Sequence, residues 1–464
     1  MIINQDQLRY RRKNVWEEAD TKKYQDIMNF AEEYKDFISN SKSERACVRQ
    51  IVARALSHGF KPLDQYQALK PGDRVIQTYR EKAVLMSVVG HQGLDRGITL
   101  VGSHTDVPRL DLKPQPLYEE EKLAFLKTHY YGGIKKYQWL AVPLALHGVV
   151  CLIDGRVVEI NVGDMPGDPV FAISDLLPHL AKEQMEKKLS EAVEGEQLNL
   201  LVGGIPIKQG EKERVKLAIL ELLYNKYGVT EEDFISAELE VVPAGTAYDI
   251  GFDRSFVGAY GQDDRVCVYN SLRAILEVGT PGRTAVALFI DKEETGSTGN
   301  TGMSGRFLQN TLADMGMLLY PNFNELSLRK ILATSIALSA DVTAGLDPNF
   351  EGVMEKNNAA RLGGGVVVTK YTGARGKNNT NDAHAETMAF MRGLLEQNQI
   401  IWQTGELGKI DQGGGGTIAH IIAEQGFEVV DCGIALLSMH APLEIASKAD
   451  IYECYRAYKA FFAL

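Results

Sequence analysis

The chain has 464 residues, about three times the commonest length of a single domain, so we expect two domains or one large domain that carries an insertion. With 45% apolar and 24% charged residues its composition is that of a globular protein, which excludes a disordered or fibrous chain. The formal net charge of -11 disfavours a broad surface for phosphate groups, so we expect no nucleic acid partner.

Cysteine usage and the N-terminal residues indicate the compartment. The five cysteines lie far apart and form no C-x-x-C pair, which is typical of reduced thiols rather than of a disulfide framework or a zinc knuckle. Residues 1–20 lack the apolar core of a secretory signal, and no run of about 18 apolar residues occurs. We therefore expect a cytoplasmic protein that does not act at a membrane.

The first predicted elements are helices, followed by two buried strands. Cys47, Ile51 and Ala55 recur at helical spacing within residues 41–60, and Ser43 is placed to cap that helix. Apolar runs at residues 83–89 and 98–101 predict strands, and the second run leads directly into a polar string.

A second series of elements begins at Gly261. The apolar pattern predicts helices at residues 265–278, 383–395 and 417–424 and from residue 449 onwards, and strands at residues 285–290, 335–339 and 429–437. Such alternation indicates an α/β fold with helices on the faces of a sheet. Residues 111–239 differ, because they predict short strands with polar links. We expect a β-rich domain at 111–239 inserted into an α/β domain formed by residues 1–110 and 240–464.

Side chains suited to metal chemistry follow the predicted strands. His104 and Asp106 are two residues apart, so in an extended chain they share a face, and the carboxylate can orient the imidazole while the other ring nitrogen binds a metal. Taken alone, this pair is better explained by a structural histidine. Asp263 and Asp264 precede a helix, where a capping role is the alternative.

Three further strands end in the same way. Glu293 and Glu294 follow the strand at 285–290, where a solvated loop is the alternative, and Asp341 and His440 follow the strands at 335–339 and 429–437. The carboxyl ends of strands are where open α/β sheets bind ligands. Two histidines with several carboxylates are a ligand set that zinc accepts in two-metal sites, so the repeated pattern predicts such a site.

Other catalytic signatures are missing from the sequence. It contains no H-E-x-x-H, G-x-x-x-x-G-K-[ST], G-x-S-x-G or complete G-x-G-x-x-G string, which removes the usual signals of single-zinc proteases, P-loop enzymes, serine hydrolases and dinucleotide binders. The glycines at 413–416, including Gly415, precede Thr417 at a helix start. They could cradle an anion or let the backbone approach a substrate or metals.

These strings resemble the aspartyl aminopeptidase family, which includes vacuolar aminopeptidase I and bacterial relatives. The matching strings occur in family order between residues 102 and 445: GSHTDVPRLDLKP, QDDR, DKEETGS, SADVTAGLDPNF, GGGTI and MHAPLE. The resemblance implies a mixed-sheet zinc-peptidase domain interrupted by a dimerisation domain. It also implies peptide substrates and assembly through dimers into a tetrahedral dodecamer.

The resemblance implies two zinc ions per subunit, for which cobalt or manganese could substitute. It implies that His104 and Asp341 bind one ion, that Glu294 and His440 bind the other, and that Asp263 bridges both.

The resemblance also implies catalytic roles for two acidic residues. Glu293 would be the general base for the attacking water, and Asp106 would orient His104. Two zinc ions lower the pKa of a water and polarise the scissile carbonyl, which leaves one unligated carboxylate to move the proton.

Four residues are expected to contact the substrate: Asp347, Lys370, Gly415 and Thr417. Asp347 stands where aspartyl-specific relatives carry a histidine, and in a poorly screened pocket it would repel a substrate carboxylate. Lys370 stands where relatives carry a substrate-binding lysine, and it would attract a substrate carboxylate. The charges of Asp347 and Lys370 could also pair with each other. We predict a preference for neutral or basic N-terminal residues over acidic ones.

The leading hypothesis is therefore a two-zinc aminopeptidase. One alternative keeps the metal site but cleaves a different bond, as a carboxypeptidase or deacylase. The other is a catalytically silent assembly scaffold of the same fold, which has no need for an unligated Glu293.

Overall fold

The computed structural model describes residues 8–208, 210 and 212–464. The helices are α1 (Val15–Glu18), α2 (Thr21–Ser39), α3 (Glu44–Ser57), α4 (Lys182–Glu186), α5 (Arg214–Tyr227), α6 (Gln262–Glu277), α7 (Phe307–Leu319), α8 (Glu325–Ala333), α9 (Ala385–Gln397), α10 (Ala419–Glu424) and α11 (Lys448–Phe462). The strands are β1 (Lys61–Pro62), β2 (Arg74–Tyr79), β3 (Ala83–Val88), β4 (Ile98–His104), β5 (Arg109–Glu120), β6 (Leu123–Tyr131), β7 (Leu144–Cys151), β8 (Val157–Val162), β9 (Leu200–Gly203), β10 (Ala237–Pro243), β11 (Tyr248–Ile250), β12 (Phe256–Ala259), β13 (Thr284–Ile290), β14 (Ile336–Ser339), β15 (Thr343–Ala344), β16 (Val366–Thr369), β17 (Trp402–Thr404), β18 (Glu428–Gly433), β19 (Ala435–Leu437) and β20 (Glu444–Ser447).

A mixed nine-stranded sheet forms the centre of the molecule, in the order β1-β2-β3-β13-β4-β14-β18-β16-β17. Its four neighbouring strands β13, β4, β14 and β18 are parallel, so their carboxyl ends lie at one edge. Residues 285, 287 and 289 of β13 pack with α6 and α11, while residues 286, 288 and 290 pack with α7, α8 and α10. Because alternate residues face opposite sides of a strand, both faces of the sheet are buried under helices. The α/β fold class predicted from the sequence is confirmed.

A second sheet of six antiparallel strands is built entirely from the range 109–243, in the order β8-β7-β10-β5-β6-β9. It has its own apolar core around the fully buried Trp139. The boundaries at 111 and 239 and the dimerisation role of this region stay predictions.

The region predicted as one strand at residues 429–437 is two strands in different sheets, so that prediction is wrong. β18 belongs to the nine-stranded sheet, whereas β19 belongs to a third sheet with the order β11-β12-β20-β19-β15. The chain changes sheets at Gly433, where an added Cβ would lie 1.9 Å from the carbonyl oxygen of Asp341. Both pieces are apolar and buried, so periodicity alone does not reveal the break.

The other predicted elements differ from the observed ones mainly at their ends. Ser43 caps α3, and its hydroxyl accepts from the backbone N–H of Ala46 at 3.2 Å. β4 continues past Val101 to His104, so the first part of the polar string belongs to the strand and Asp106 lies just beyond it. The five cysteines are all free thiols. Among the described residues no helix is both long enough and apolar enough to cross a membrane.

Candidate metal centre and active site

The side chains singled out at the strand ends converge at one edge of the nine-stranded sheet. His104 is the last residue of β4 and lies opposite Ile290, the last residue of β13. Glu293 and Glu294 follow β13 in a short 3-10 helix, and Asp341 follows β14. Parallel neighbours end at the same edge, and for this reason residues nearly 240 positions apart in sequence meet here.

Asp263 lies between the two histidines. It stands at the start of α6, where the peptide bond to Asp264 is cis and the backbone is not yet helical. One carboxylate oxygen of Asp263 is 3.3 Å from Nε2 of His104, and the other is 3.1 Å from Nε2 of His440. Asp264 faces away from this gap, and its carboxylate accepts from the backbone N–H of His104 at 3.3 Å.

The candidate ligand atoms form three overlapping triads, each with all atoms within 4.8 Å of one another. The triads are His104 with Asp263 and Asp341, Asp263 with Glu294 and His440, and His104 with Glu293 and Glu294. The first two triads share only Asp263. The geometry therefore offers two adjacent three-ligand positions joined by one carboxylate.

Each histidine is oriented through its other ring nitrogen. Nδ1 of His104 lies 3.0 Å from the backbone carbonyl oxygen of Asp106 and 3.4 Å from its carboxylate. Nδ1 of His440 lies 2.9 Å from the carbonyl oxygen of Gly133. An Nδ1–H that donates to such an oxygen leaves the Nε2 lone pair free for a metal, which is the tautomer that metal-binding histidines use.

The carboxylates of this cluster repel one another. Burial and then the charge of Asp263 raise the pKa of Glu294 well above its usual range and act in the same order on Asp341. Burial raises the pKa of Glu293 to about 7, although the neighbouring imidazole of His104 opposes this. Burial also opposes ionisation of Asp263, but hydrogen bonds from both histidines hold its pKa below the usual range.

The donor set fits a divalent cation. Oε1 of Glu294 is buried and has no hydrogen-bond partner among the described residues, although it is 3.5 Å from Nε2 of His440. A buried carboxylate oxygen without a donor is costly unless a cation pairs with it. Imidazole nitrogens and carboxylate oxygens are ligands that zinc accepts.

An open cleft of about 660 Å³ lies over this cluster. Its walls include Glu293, the glycines at 414–416, Thr417 and His420. Thr417 donates its hydroxyl hydrogen to the buried Asp431 at 2.7 Å, so its oxygen is held at the wall as an acceptor. Gly415 and Thr417 are thus at the cleft, where contact with a substrate was expected.

Asp347 and Lys370 are not among the residues that line the cleft. The Asp347 carboxylate accepts from the backbone N–H of Asn349 at 2.8 Å, within its own loop. The Lys370 ammonium pairs with Asp382 at 3.1 Å, so the suggested pairing of Lys370 with Asp347 is wrong. Asp382 is held near Lys370 because the backbone carbonyl of Lys370 accepts from the N–H of Ala383. This bond folds the segment between the two residues back onto the lysine.

Comparison with known proteins identifies the family. A family model described as Aminopeptidase I zinc metalloprotease (M18) matches residues 37–462. This chain belongs to the M18 family. The resemblance seen in the sequence strings is confirmed, and the chain is an aminopeptidase of a family named for zinc.

Relatives of this M18 aminopeptidase match it along nearly its whole length. A probable M18 family aminopeptidase 1 of Clostridium acetobutylicum is 52% identical over 454 residues, which are 97% of each chain. The crystal structure of the M18 aminopeptidase of Thermotoga maritima has a TM-score of 0.95 and 47% identity, and covers 98% of this chain and 100% of its own. The S. cerevisiae mApe1 dodecamer has a TM-score of 0.74 at 22% identity, over 93% of this chain and 96% of its own, and shares the fold.

Sequence reasoning assigned no role to Glu444, although it lies in the string MHAPLE. This carboxylate is buried behind the M18 site, where its two oxygens accept from the backbone N–H groups of His440 at 2.8 Å and Asp263 at 3.1 Å. One side chain therefore holds the main chain of two candidate ligands. The sequence signal was only its closeness to His440, which does not reveal the contact with Asp263.

We expect Glu444→Ala to lower zinc content, and to lower kcat/KM by about 10–100-fold, because loss of an outer partner of metal ligands weakens metal affinity or activity by that factor. The substitution leaves two buried backbone N–H groups without an acceptor. Elemental analysis and peptide hydrolysis measure the two quantities. Glu424→Ala, at an exposed position of α10, is the control and should leave both unchanged. Wild-type zinc content and activity in Glu444→Ala would contradict this role.

Proposed function

We propose that this M18 aminopeptidase hydrolyses the first peptide bond of its substrates with two zinc ions. The observation that carries this proposal is the pair of triads joined only at Asp263. His104, Asp263 and Asp341 would hold one ion, and Asp263, Glu294 and His440 would hold the other. When bound, zinc would polarise the scissile carbonyl and lower the pKa of the attacking water.

Glu293 is the general base in this proposal. Its side chain lines the cleft and is more exposed than that of Glu294, with 16% against 5% of the surface accessible. Glu293 belongs to neither of the two triads that Asp263 joins, so its carboxylate is left to accept a proton from the attacking water and return it to the leaving amine nitrogen. Glu294 forms a triad with Asp263 and His440, so in this proposal it binds a cation while the more exposed Glu293 faces the substrate.

The test of the function is metal content together with hydrolysis before and after chelation. We expect the wild-type protein to contain about two zinc ions per chain and to release N-terminal residues from peptides. Activity should be lost with a chelator and return with zinc. Cleavage of N-acetylated peptides instead of free-amine peptides would favour a deacylase. A zinc-replete protein with no peptidase activity on a broad library would favour a scaffold.

We expect Glu293→Gln to bind zinc nearly as well as the wild type while kcat falls by about 10²–10⁴-fold, the usual effect of removing a positioned general base. The amide keeps the shape of the side chain but cannot accept the proton. Zinc titration and steady-state kinetics on one preparation measure both effects. Comparable loss of zinc and activity would mean that Glu293 is a ligand and that the roles of the two glutamates are reversed.

For substrate preference we propose neutral or basic N-terminal residues over acidic ones. Within the described part of the chain no lysine or arginine lines the cleft, so a substrate carboxylate would meet no ammonium or guanidinium there. We expect kcat/KM for N-terminal Leu and Lys substrates to exceed that for Asp and Glu substrates by about tenfold or more, the effect of one poorly paired charge. A panel of aminoacyl reporters measures the ranking. Higher values for Asp or Glu would contradict it.

A matched variant tests the remaining role of Asp347. Asp347→His introduces the residue type of aspartyl-specific relatives at a position that does not line the cleft. An unchanged ranking is expected from the position of Asp347, whereas a shift towards acidic substrates would mean that its loop approaches bound peptide.

We also propose a homo-oligomer built from dimers. The support is the fold shared with the dodecameric mApe1 of S. cerevisiae and the exposed apolar side chains between β8 and β9, among them Leu180 and Met185. Light scattering of the purified chain measures the oligomeric state.

A further inference from the structure

The second sheet reaches the metal centre through the end of β6. We call residues Tyr131, Gly132 and Gly133 the β6 tip. The Tyr131 hydroxyl donates to Oδ2 of Asp106 at 2.8 Å, and the Gly133 carbonyl is the oxygen that faces Nδ1 of His440. The β6 tip therefore contacts the support of His104 and itself supports His440, from a sheet that supplies none of the candidate ligands.

Asp106 connects Tyr131 to the rest of the site. Its carboxylate is fully buried and accepts from the backbone N–H groups of Glu293 at 3.1 Å and Glu294 at 3.2 Å. The same carboxylate lies beside Nδ1 of His104. The Tyr131 hydroxyl adds a side-chain donor, so its removal would leave this buried anion under-satisfied and free to shift the groups that it holds.

Tyr131 is itself held from behind by a buried arginine. The guanidinium carbon of Arg109 lies 4.0 Å from the centre of the Tyr131 ring. Arg109 is fixed in turn by Asp111 at 2.8 Å and by Glu44 of α3 at 3.5 Å. A cation stacked on the ring and anchored at both sides restricts where the hydroxyl can point.

The middle residue of the tip has to be small. Gly132 has φ of +71°, and an added Cβ would lie 3.3 Å from Cβ of Glu294 and 3.4 Å from its Oε2. A side chain there would press on a candidate metal ligand. The tip is thus shaped to approach the site closely as well as to donate to it.

We propose that Tyr131 is a positioning residue of the metal centre, and that through Asp106 it sets the geometry of His104 and of the Glu293–Glu294 backbone. This inference rests on the proposed two-zinc function. It makes the placement of the second sheet a determinant of metal affinity, because β6 carries the hydroxyl to the site.

The experiment compares Tyr131→Phe with Tyr130→Phe in the full chain. Tyr130 is the preceding residue of β6, is 46% exposed and faces the other side of the strand. We expect Tyr131→Phe to weaken zinc binding by about 10–100-fold in competition with a chelating indicator. We expect kcat to fall while KM for the peptide changes by less than about twofold, since the hydroxyl contacts the support of the ligands rather than the cleft. Tyr130→Phe should match the wild type in each measurement.

A glycine pair gives an independent readout that does not depend on the hydroxyl. Gly132→Ala and Gly228→Ala both place alanine at positive φ, +71° and +69°, but only at Gly132 does the added Cβ meet other atoms. We expect only Gly132→Ala to weaken zinc binding. The thermal midpoints of the metal-free variants, recorded in parallel, report any general loss of stability.

The outcomes separate this inference from the proposed function. A wild-type chain that binds no zinc would refute the proposed function and the inference together. A wild type that binds zinc, with Tyr131→Phe binding it equally well, would refute the inference alone. It would also be refuted if Tyr131→Phe lowered only the thermal midpoint, or if each variant weakened zinc binding no more than its control. If Tyr131→Phe does not fold, the glycine pair tests the wider claim that the β6 tip determines zinc affinity, and equal zinc binding by Gly132→Ala and Gly228→Ala would refute that claim.

Discussion

The structure depends on one electrostatic constraint, the crowding of carboxylates at the edge of the nine-stranded sheet. Asp263, Glu293, Glu294 and Asp341 lie within a few ångströms of two imidazoles, and burial disfavours the ionised form of each. Such a cluster is stable only with protons or with cations. The division of the ligand atoms into two triads that share Asp263 favours cations, and the family to which the chain belongs is named for zinc.

The fold meets this constraint by holding in place the backbone that carries the clustered side chains. Strands β4, β13 and β14 bring their carboxyl ends to one edge, and α6 begins at the same edge with Asp263. Two buried carboxylates behind the site then accept hydrogen bonds from the main chain of the candidate ligands. The Glu444 carboxylate accepts from the backbone N–H groups of Asp263 and His440, and the Asp106 carboxylate accepts from those of the two glutamates. The candidate ligands therefore have little freedom to move apart when they repel each other, which is the pre-organisation that a metal site requires.

Much of the candidate site could be predicted because its residues follow strands that the apolar pattern reveals. His104, Glu293 and Asp341 each come within three residues of a strand end, and the structure brings all three together at one edge of the sheet. Pocket residues were less predictable. The acid at position 347 is visible in the sequence, but whether it faces the cleft depends on how a loop without a regular period packs.

The sequence by itself determined the order of strands and helices along the chain, the chemistry at the strand ends and the family. It did so because these depend on local periodicity and on short strings of residues. Only the tertiary structure decided that Glu444 supports two candidate ligands, that β18 and β19 belong to different sheets, and that the β6 tip touches the site. Each of these results from contacts between residues far apart in sequence. Such contacts are fixed by the order of strands in the sheets and by packing between sheets, and neither has a local signature.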